Sequence, residues 1–301
     1  MQRNSLTIFE AGSKELRSLA EMTVAHSADP ERHCLHSYSS GTVGDVYQDL
    51  EKLRASGDFR CSAAHRNGKF IGGLACEFDE ERKRVWLRGP YLEDWNDIEA
   101  RDGVWSHLLT LLPFTGPQLD SFINIRNEAS ARFYTDLGFR TVRPIHSYTA
   151  PRPHLLPKLD SRCEPIPKEH EAAYCKLHKA CFASAQTGPA CLDERNENLT
   201  ILAFIEGEEF LGYIHVAAEP HPPEGYVEFL GVQPEARRRG IGRALLASGL
   251  HWCFVEKQLP QVGLTVNEEL NGAQSLYESM GFVLQSTGLH QQLDLTKPST
   301  P

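Results

Sequence analysis

Residues 226–246 read Tyr226-Val-Glu-Phe-Leu-Gly-Val-Gln-Pro-Glu-Ala-Arg237-Arg-Arg-Gly240-Ile-Gly242-Arg-Ala-Leu-Leu246. The alternating run from Tyr226 to Val232 predicts a strand, and the apolar spacing of Leu245, Leu246, Leu250 and Trp252 predicts a helix over Glu235–Lys257. Between them, Gly240 and Gly242 let the backbone turn tightly and come close to a ligand. Amide N–H groups at a helix start point outward, where an anion can accept them. Arg237, Arg238, Arg239 and Arg243 add positive charge to that nest. The stretch is therefore expected to hold a phosphate or pyrophosphate. The plain alternative is a solvated basic helix start beside a turn.

Outward from this stretch the chain repeats itself. A Pro-rich segment near residues 151–160 predicts an extended linker. It separates an expected domain over 1–150 from one over 161–301. Each half opens with a short strand (Leu6–Glu10; Arg162–Ile166) and a helix (Lys14–Ala25; Lys168–Ala180). Each then passes through a polar irregular stretch to three consecutive strands (Phe59–His65, Lys69–Phe78, Arg84–Leu92; Leu199–Ile205, Phe210–Ala218, Tyr226–Val232). A helix, a strand (Asp120–Ile125; Gln261–Val266), a helix ending at glycine and a last strand complete each half. Asp136-Leu-Gly138-Phe139 answers Ser279-Met-Gly281-Phe282. The fold class expected is α/β (α+β): two tandem units, each a mixed, mostly antiparallel twisted sheet flanked by helices.

The second half resembles the GNAT superfamily of acetyl-CoA-dependent N-acetyltransferases. Arg237-x-x-Gly240-x-Gly242 matches the family's Q/R-x-x-G-x-G/A signature. Val232-Gln233-Pro234 and Asn271-x-Ala273-x-x-Leu276-Tyr277-x-x-x-Gly281-Phe282 match its flanking segments. The resemblance implies that backbone groups from Arg238 through Ile241 and Gly242 to Arg243 hold the acetyl-CoA pyrophosphate. It implies that Leu230, Gly231 and Val232 offer main-chain groups to the pantetheine amides. Asn267 and Asn271 are placed to reach the cofactor, although Asn271 is equally suited to capping a helix. Tyr277 falls on the family's general-acid position, opposite the departing thiolate. The plain alternative there is a tyrosine packed beside Phe282. Glu228, a carboxylate in an apolar strand, falls where several members carry a general base. A solvent-facing edge glutamate is its rival reading, and His215 and His221 are rival bases.

The first half departs from the pattern. Aligning Ser106–Leu109 with Arg243–Leu246 puts Ala100 at the signature arginine, Gly103 at the first glycine and Trp105 at the second. Trp105 is expected to crowd the phosphate seat, and Asp97, Glu99 and Asp102 make the helix start acidic. This half reads as a degenerate GNAT-like domain that does not bind acetyl-CoA productively, with Tyr134 as a packing residue.

The rest of the chain excludes other classes. A formal net charge of −9 argues against a general nucleic-acid binder. Eight cysteines without CxxC spacing read as reduced thiols rather than a metal site. Neither a signal peptide nor a membrane span is apparent, so a cytoplasmic protein is expected. The leading expectation is transfer of an acetyl group to a primary amine of a small molecule or peptide, by direct attack in a ternary complex without a metal. A non-catalytic acetyl-CoA-binding module is the alternative. The chain is expected to be a monomer or homodimer.

Overall fold

The computed structural model describes residues 5–35, 41–155, 158–183, 187–220, 223–267 and 271–295. In chain order the elements are β1 (Leu6–Glu10), α1 (Ser13–Ser27), α2 (Val43–Ser56), β2 (Phe59–Arg66), β3 (Lys69–Asp79), β4 (Arg84–Leu92), α3 (Ile98–Leu111), β5 (Gln118–Asn124), α4 (Glu128–Asp136) and β6 (Arg140–Pro151). There follow β7 (Cys163–Pro165), α5 (Glu171–Cys181), α6 (Gly188–Asp193), β8 (Leu199–Glu206), β9 (Glu209–Pro220), β10 (Pro223–Val232), α7 (Ile241–His251), β11 (Gln261–Asn267), α8 (Asn271–Ser279) and β12 (Val283–Asp294).

The chain forms two compact units. One holds the residues up to Ile145 together with those from Thr287 on; the other runs His146–Ser286. These limits differ from the division at 150 and 161 expected from the prolines. β6 and β12 each continue unbroken through a boundary, and a strand can do so because its ladder, not its composition, fixes where it belongs. Thus Gly288–Asp294 pair antiparallel with Gln118–Asn124 and complete the first unit's sheet.

In the first unit the strand order is β1-β2-β3-β4-β5-β12. All neighbours there are antiparallel except β4 and β5, which pair in parallel over Arg84–Leu87 and Gln118–Ser121. Its core gathers Leu16, Leu74, Leu87, Val104, Leu108, Ile123 and Tyr134 between the sheet and helices α1 and α3. Arg84, His290 and Gln292 all bond the fully buried Asp120 on β5. That carboxylate is held well below its usual range because these hydrogen bonds outweigh its burial.

The second unit repeats the plan as β6-β11-β10-β9-β8-β7. Here β10 and β11 are the parallel pair, over Gly225–Val227 and Val262–Leu264. One apolar cluster, with Ile214, Val227, Leu245, Leu250 and Phe254, lies under α7. A second, with Tyr174, Leu177, Ile201 and Tyr213, lies under α5.

Three elements differ from the sequence expectation. The polar stretch after α1 contains α2, which starts where Thr42 accepts from the Asp45 amide at 3.2 Å and ends at Gly57 with φ of +94°. The stretch Phe182–Asn198 contains the short helix α6, opened by Thr187. The helix expected from Glu235 begins only at Ile241, because Arg238 and Gly240 both take left-handed backbone. Among the described residues no helix is long and apolar enough to cross a membrane.

Candidate active site

The late start of α7 creates the site. Arg238 (φ +66°) and Gly240 (φ +84°) flank Arg239, so the backbone reverses hand twice before the helix begins. Gly240 is the N-cap residue and has no side chain with which to satisfy the first turn. The amides of Ile241, Gly242 and Arg243 are therefore left to a ligand, at the positive end of the helix. A Cβ on Gly242 would meet only Leu276 Cδ2 at 3.4 Å and Val232 Cγ2 at 3.9 Å, so the space above it is open. These features fit an anionic diphosphate.

A cleft of about 1330 Å³ runs from this turn. Leu230, Gly231 and Val232 form one wall, and Arg237, Arg238, Gly240, Ile241, Gly242 and Arg243 line its end at the turn. Ala273, Leu276 and Tyr277 of α8 also line the cleft. Beyond Val227↔Leu264, β10 and β11 no longer pair. Leu230 to Val232 remain bonded to β9 along their other edge. The edge facing β11 is free to pair with amides of a ligand.

The arginines divide their work. Arg237 donates from Nε to the Val232 carbonyl at 3.2 Å, bracing the turn. Arg243 donates to Ser279 Oγ at 2.6 Å. Arg239 turns to Glu206 in a salt bridge. Among the described residues, the cleft lining does not include Arg239, Asn267 or Glu228. The Arg239 side chain thus has an acidic partner in Glu206. Asn267 ends β11, half-buried. The Asn271 side chain and His221 lie outside the described residues.

Tyr277 lines the cleft and packs edge-on against Phe282, with ring centroids 5.8 Å apart. Packing and cleft position hold together. Burial pushes its phenol up to about 12, so it stays protonated at neutral pH and is available as a donor.

Glu228 sits at a β-bulge. Val227 pairs with Val216 and Phe229 with His215, so Glu228 is the extra residue. A bulge re-aims a side chain and bends its strand, and here it falls where β10 parts from β11. Glu228 is exposed to solvent, as its rival reading of a solvent-facing glutamate expects, although protein crowds one side of the carboxyl. Burial, with Glu219 and then Glu194 adding negative charge nearby, raises it to about 7. Tyr226, two residues earlier, bonds Thr265 on β11 at 2.5 Å across the parting strands. His215, by contrast, is buried, and burial lowers it to about 4, with His178 nearby adding to the shift. It is neutral at physiological pH and shut away from solvent.

Sequence reasoning missed the wall supplied by α5: Lys176, Leu177, Ala180 and Cys181 line the cleft, as does Phe182 just past the helix. Its one signal was an amphipathic helix directly before the irregular segment.

The first unit shows what a closed counterpart looks like. α3 begins at Ile98, the position aligned with Glu235, so it runs straight through the positions that form the turn before α7. Its amides are consumed within the helix, and Asp97 caps its start by accepting from Ala100 at 3.1 Å. Gly103 serves packing, since a Cβ there would collide with Ile8. Trp105 is buried against Phe133 and Phe139.

Comparison with known proteins agrees with this geometry. Residues 158–282 match the model of the acetyltransferase (GNAT) family. A mycothiol acetyltransferase of Streptomyces scabiei is 36% identical over 273 residues, covering 86% of this chain and 78% of the relative. In relatives of the same description from Renibacterium salmoninarum, Paenarthrobacter aurescens and Salinispora tropica, the match spans 38%, 58% and 64% of their length. Among solved structures, a GCN5-related N-acetyltransferase of Sphaerobacter thermophilus superposes with a TM-score of 0.71 at 14% identity, covering 98% of this chain and 97% of its own. A tandem GNAT protein of the clavulanic acid biosynthesis pathway gives 0.63 at 12% identity, covering 98% and 100%. At those identities the likeness is one of fold.

Proposed function

Because this chain belongs to the GNAT family of acetyltransferases, we propose that it transfers the acetyl group of acetyl-CoA to a primary amine at a single working site in the second unit. The observation that carries this reading is the uncapped turn at Gly240 opening into the same cleft as the Tyr277 phenol.

Acetyl-CoA as cosubstrate supplies an activated thioester. The amides of Ile241, Gly242 and Arg243 hold its diphosphate, and the free edge of Leu230–Val232 pairs with its amide arm. Glu228 takes a proton from the acceptor ammonium, directly or through water. The amine nitrogen then bonds to the acyl carbon as the carbon–sulfur bond breaks, and the nitrogen's second proton passes to water as the amide forms. Tyr277 donates a proton or hydrogen bond to the departing sulfur. A base near 7 and an acid near 12 suit those tasks at neutral pH.

The acceptor proposed first is the amine whose acetylation would give mycothiol, since several relatives are described as mycothiol acetyltransferases. The test is thiol release from acetyl-CoA over a panel of amines that includes this one, with Tyr277→Phe as control. Saturable turnover on that amine, absent with other small amines and peptides, supports the reading. Binding of acetyl-CoA with no turnover on any amine sinks it.

A further inference from the structure

The first unit contains the same parting of parallel strands as the second, and the chain fills it with itself. β4 and β5 pair through Leu87↔Ser121 and then separate. Into the gap comes His33–Leu35. The Leu35 amide donates to the Phe122 carbonyl at 2.9 Å, and the Asn124 amide donates to the His33 carbonyl at 3.0 Å. Cys34 bridges to Ile123 in antiparallel fashion. On the other side, the Cys34 thiol donates to the Gly89 carbonyl of β4 at 3.5 Å.

That carbonyl has a second partner. The Tyr134 phenol, which aligns with Tyr277, donates to it at 2.7 Å. Cys34 and Tyr134 are both buried, so a thiol and a phenol share one acceptor in the sealed interior. Leu35 anchors the insertion over Gly288, where any Cβ would collide with Leu35 Cδ1. At the far end, α3 has no open first turn, because Asp97 caps it and is itself held by Arg66 at 2.7 Å.

We infer that His33–Leu35 is a built-in occupant of the first unit's cofactor slot, which together with the missing phosphate turn leaves this chain one acyl-CoA site rather than two. The segment pairs with β5 as an extended ligand would, and its thiol reaches β4 beside the tyrosine. The sequence of the first half shows only that the phosphate cradle is missing; the structure supplies the reason the remainder of the slot is closed as well. The inference rests on reading the second unit's cleft as the acetyl-CoA site.

The test uses the full chain and two readouts. Equilibrium dialysis against CoA is expected to give one equivalent per chain. Alkylation with N-ethylmaleimide, followed by peptide mapping, is expected to modify Cys34 at least a hundredfold more slowly than a thiol free in solution. Leu35→Gly removes the anchor and is expected to speed Cys34 modification tenfold or more while CoA stays at one equivalent. Two equivalents bound to the parent chain, or rapid modification of its Cys34, would overturn the inference. Should no CoA bind, the functional reading of the second unit fails, and Cys34 labelling decides the slot alone: slow labelling supports a filled slot and fast labelling refutes it. Both parent-chain readouts stand even where Leu35→Gly does not fold.

Discussion

Arg243 at the start of α7 donates to the Ser279 hydroxyl of α8 at 2.6 Å. The helix whose first-turn amides lack a side-chain cap is thereby tied to the helix that carries Tyr277. Arg243 also lines the cleft, so one side chain serves charge and position. Arg243→Ala is expected to raise KM for acetyl-CoA about tenfold, roughly the 1.4 kcal/mol of one charge-assisted hydrogen bond, and to lower kcat as well. Ser279→Ala keeps the charge and cuts the tie, so kcat falls while KM holds. Steady-state kinetics of both variants check this; an unchanged kcat in Ser279→Ala would show that the tie does not position Tyr277.

Gly240 and Gly242 are glycines for different reasons. At Gly240 the backbone is left-handed and no heavy atom lies within 4 Å of a Cβ, so Gly240→Ala meets backbone strain alone. That costs about 1 kcal/mol, or a fall in Tm of about 2–4 °C for a unit of this size. At Gly242 the neighbours are at ordinary contact distance, so Gly242→Ala keeps the parent's Tm. Its methyl stands over the amides, and affinity for acetyl-CoA falls. Thermal melts and CoA titration of the two variants are expected to move in this crossed fashion.

Tyr277→Phe retains the ring against Phe282 and removes only the hydroxyl. A decrease in kcat of about a hundredfold is expected, with KM for acetyl-CoA little changed. Tyr134→Phe serves as the internal comparison. Its hydroxyl bonds a buried backbone carbonyl, so the change lowers stability by about 1–3 kcal/mol and leaves kcat alone. Equal effects of the two substitutions on kcat would contradict the assignment of the chemistry to the second unit.

The order of strands and helices was legible because alternation and glycine punctuation are local signals. The placing of Arg237–Arg243 ahead of a helix and of Tyr277 on one was also legible, because their spacing is fixed within one strand-turn-helix and one helix. Less local matters were hidden. The turn that delays α7 depends on Arg238 adopting a positive φ, which composition does not announce. The α5 wall depends on tertiary packing. The bulge at Glu228 is a register shift against β9, invisible in either strand alone. The insertion of His33–Leu35 joins residues some ninety positions apart, and no pattern in the first half foretells it.

Glu228 predicts the acid limb of the rate profile. With the carboxyl raised to about 7, the base is protonated below that pH and ionised above it. kcat/KM is therefore expected to rise with pH and level off through about 7, and Glu228→Gln to abolish the limb along with most activity. Glu219→Gln removes a neighbouring negative charge, which favours ionisation, so the limb moves to lower pH. A limb that stays in place in Glu219→Gln would assign the titration to another group.

His215 makes the complementary statement about stability. It lies buried in β9 against Phe229, and among the described residues neither ring nitrogen has a hydrogen-bond partner. Burial lowers it from 6.5 to about 4. The unfolded chain therefore takes up the proton first as pH falls. The contribution of this group to stability is complete above about 6.5 and is lost progressively down to about 4, reaching roughly 3 kcal/mol. His215→Phe fills similar space without a proton to bind. Its melting temperature is expected to decline less than the parent's between pH 7 and pH 4, while kcat at pH 7.5 is unchanged. Parallel pH–stability curves would mean that His215 is protonated in the folded chain, and a lost kcat would return it to the list of rival bases.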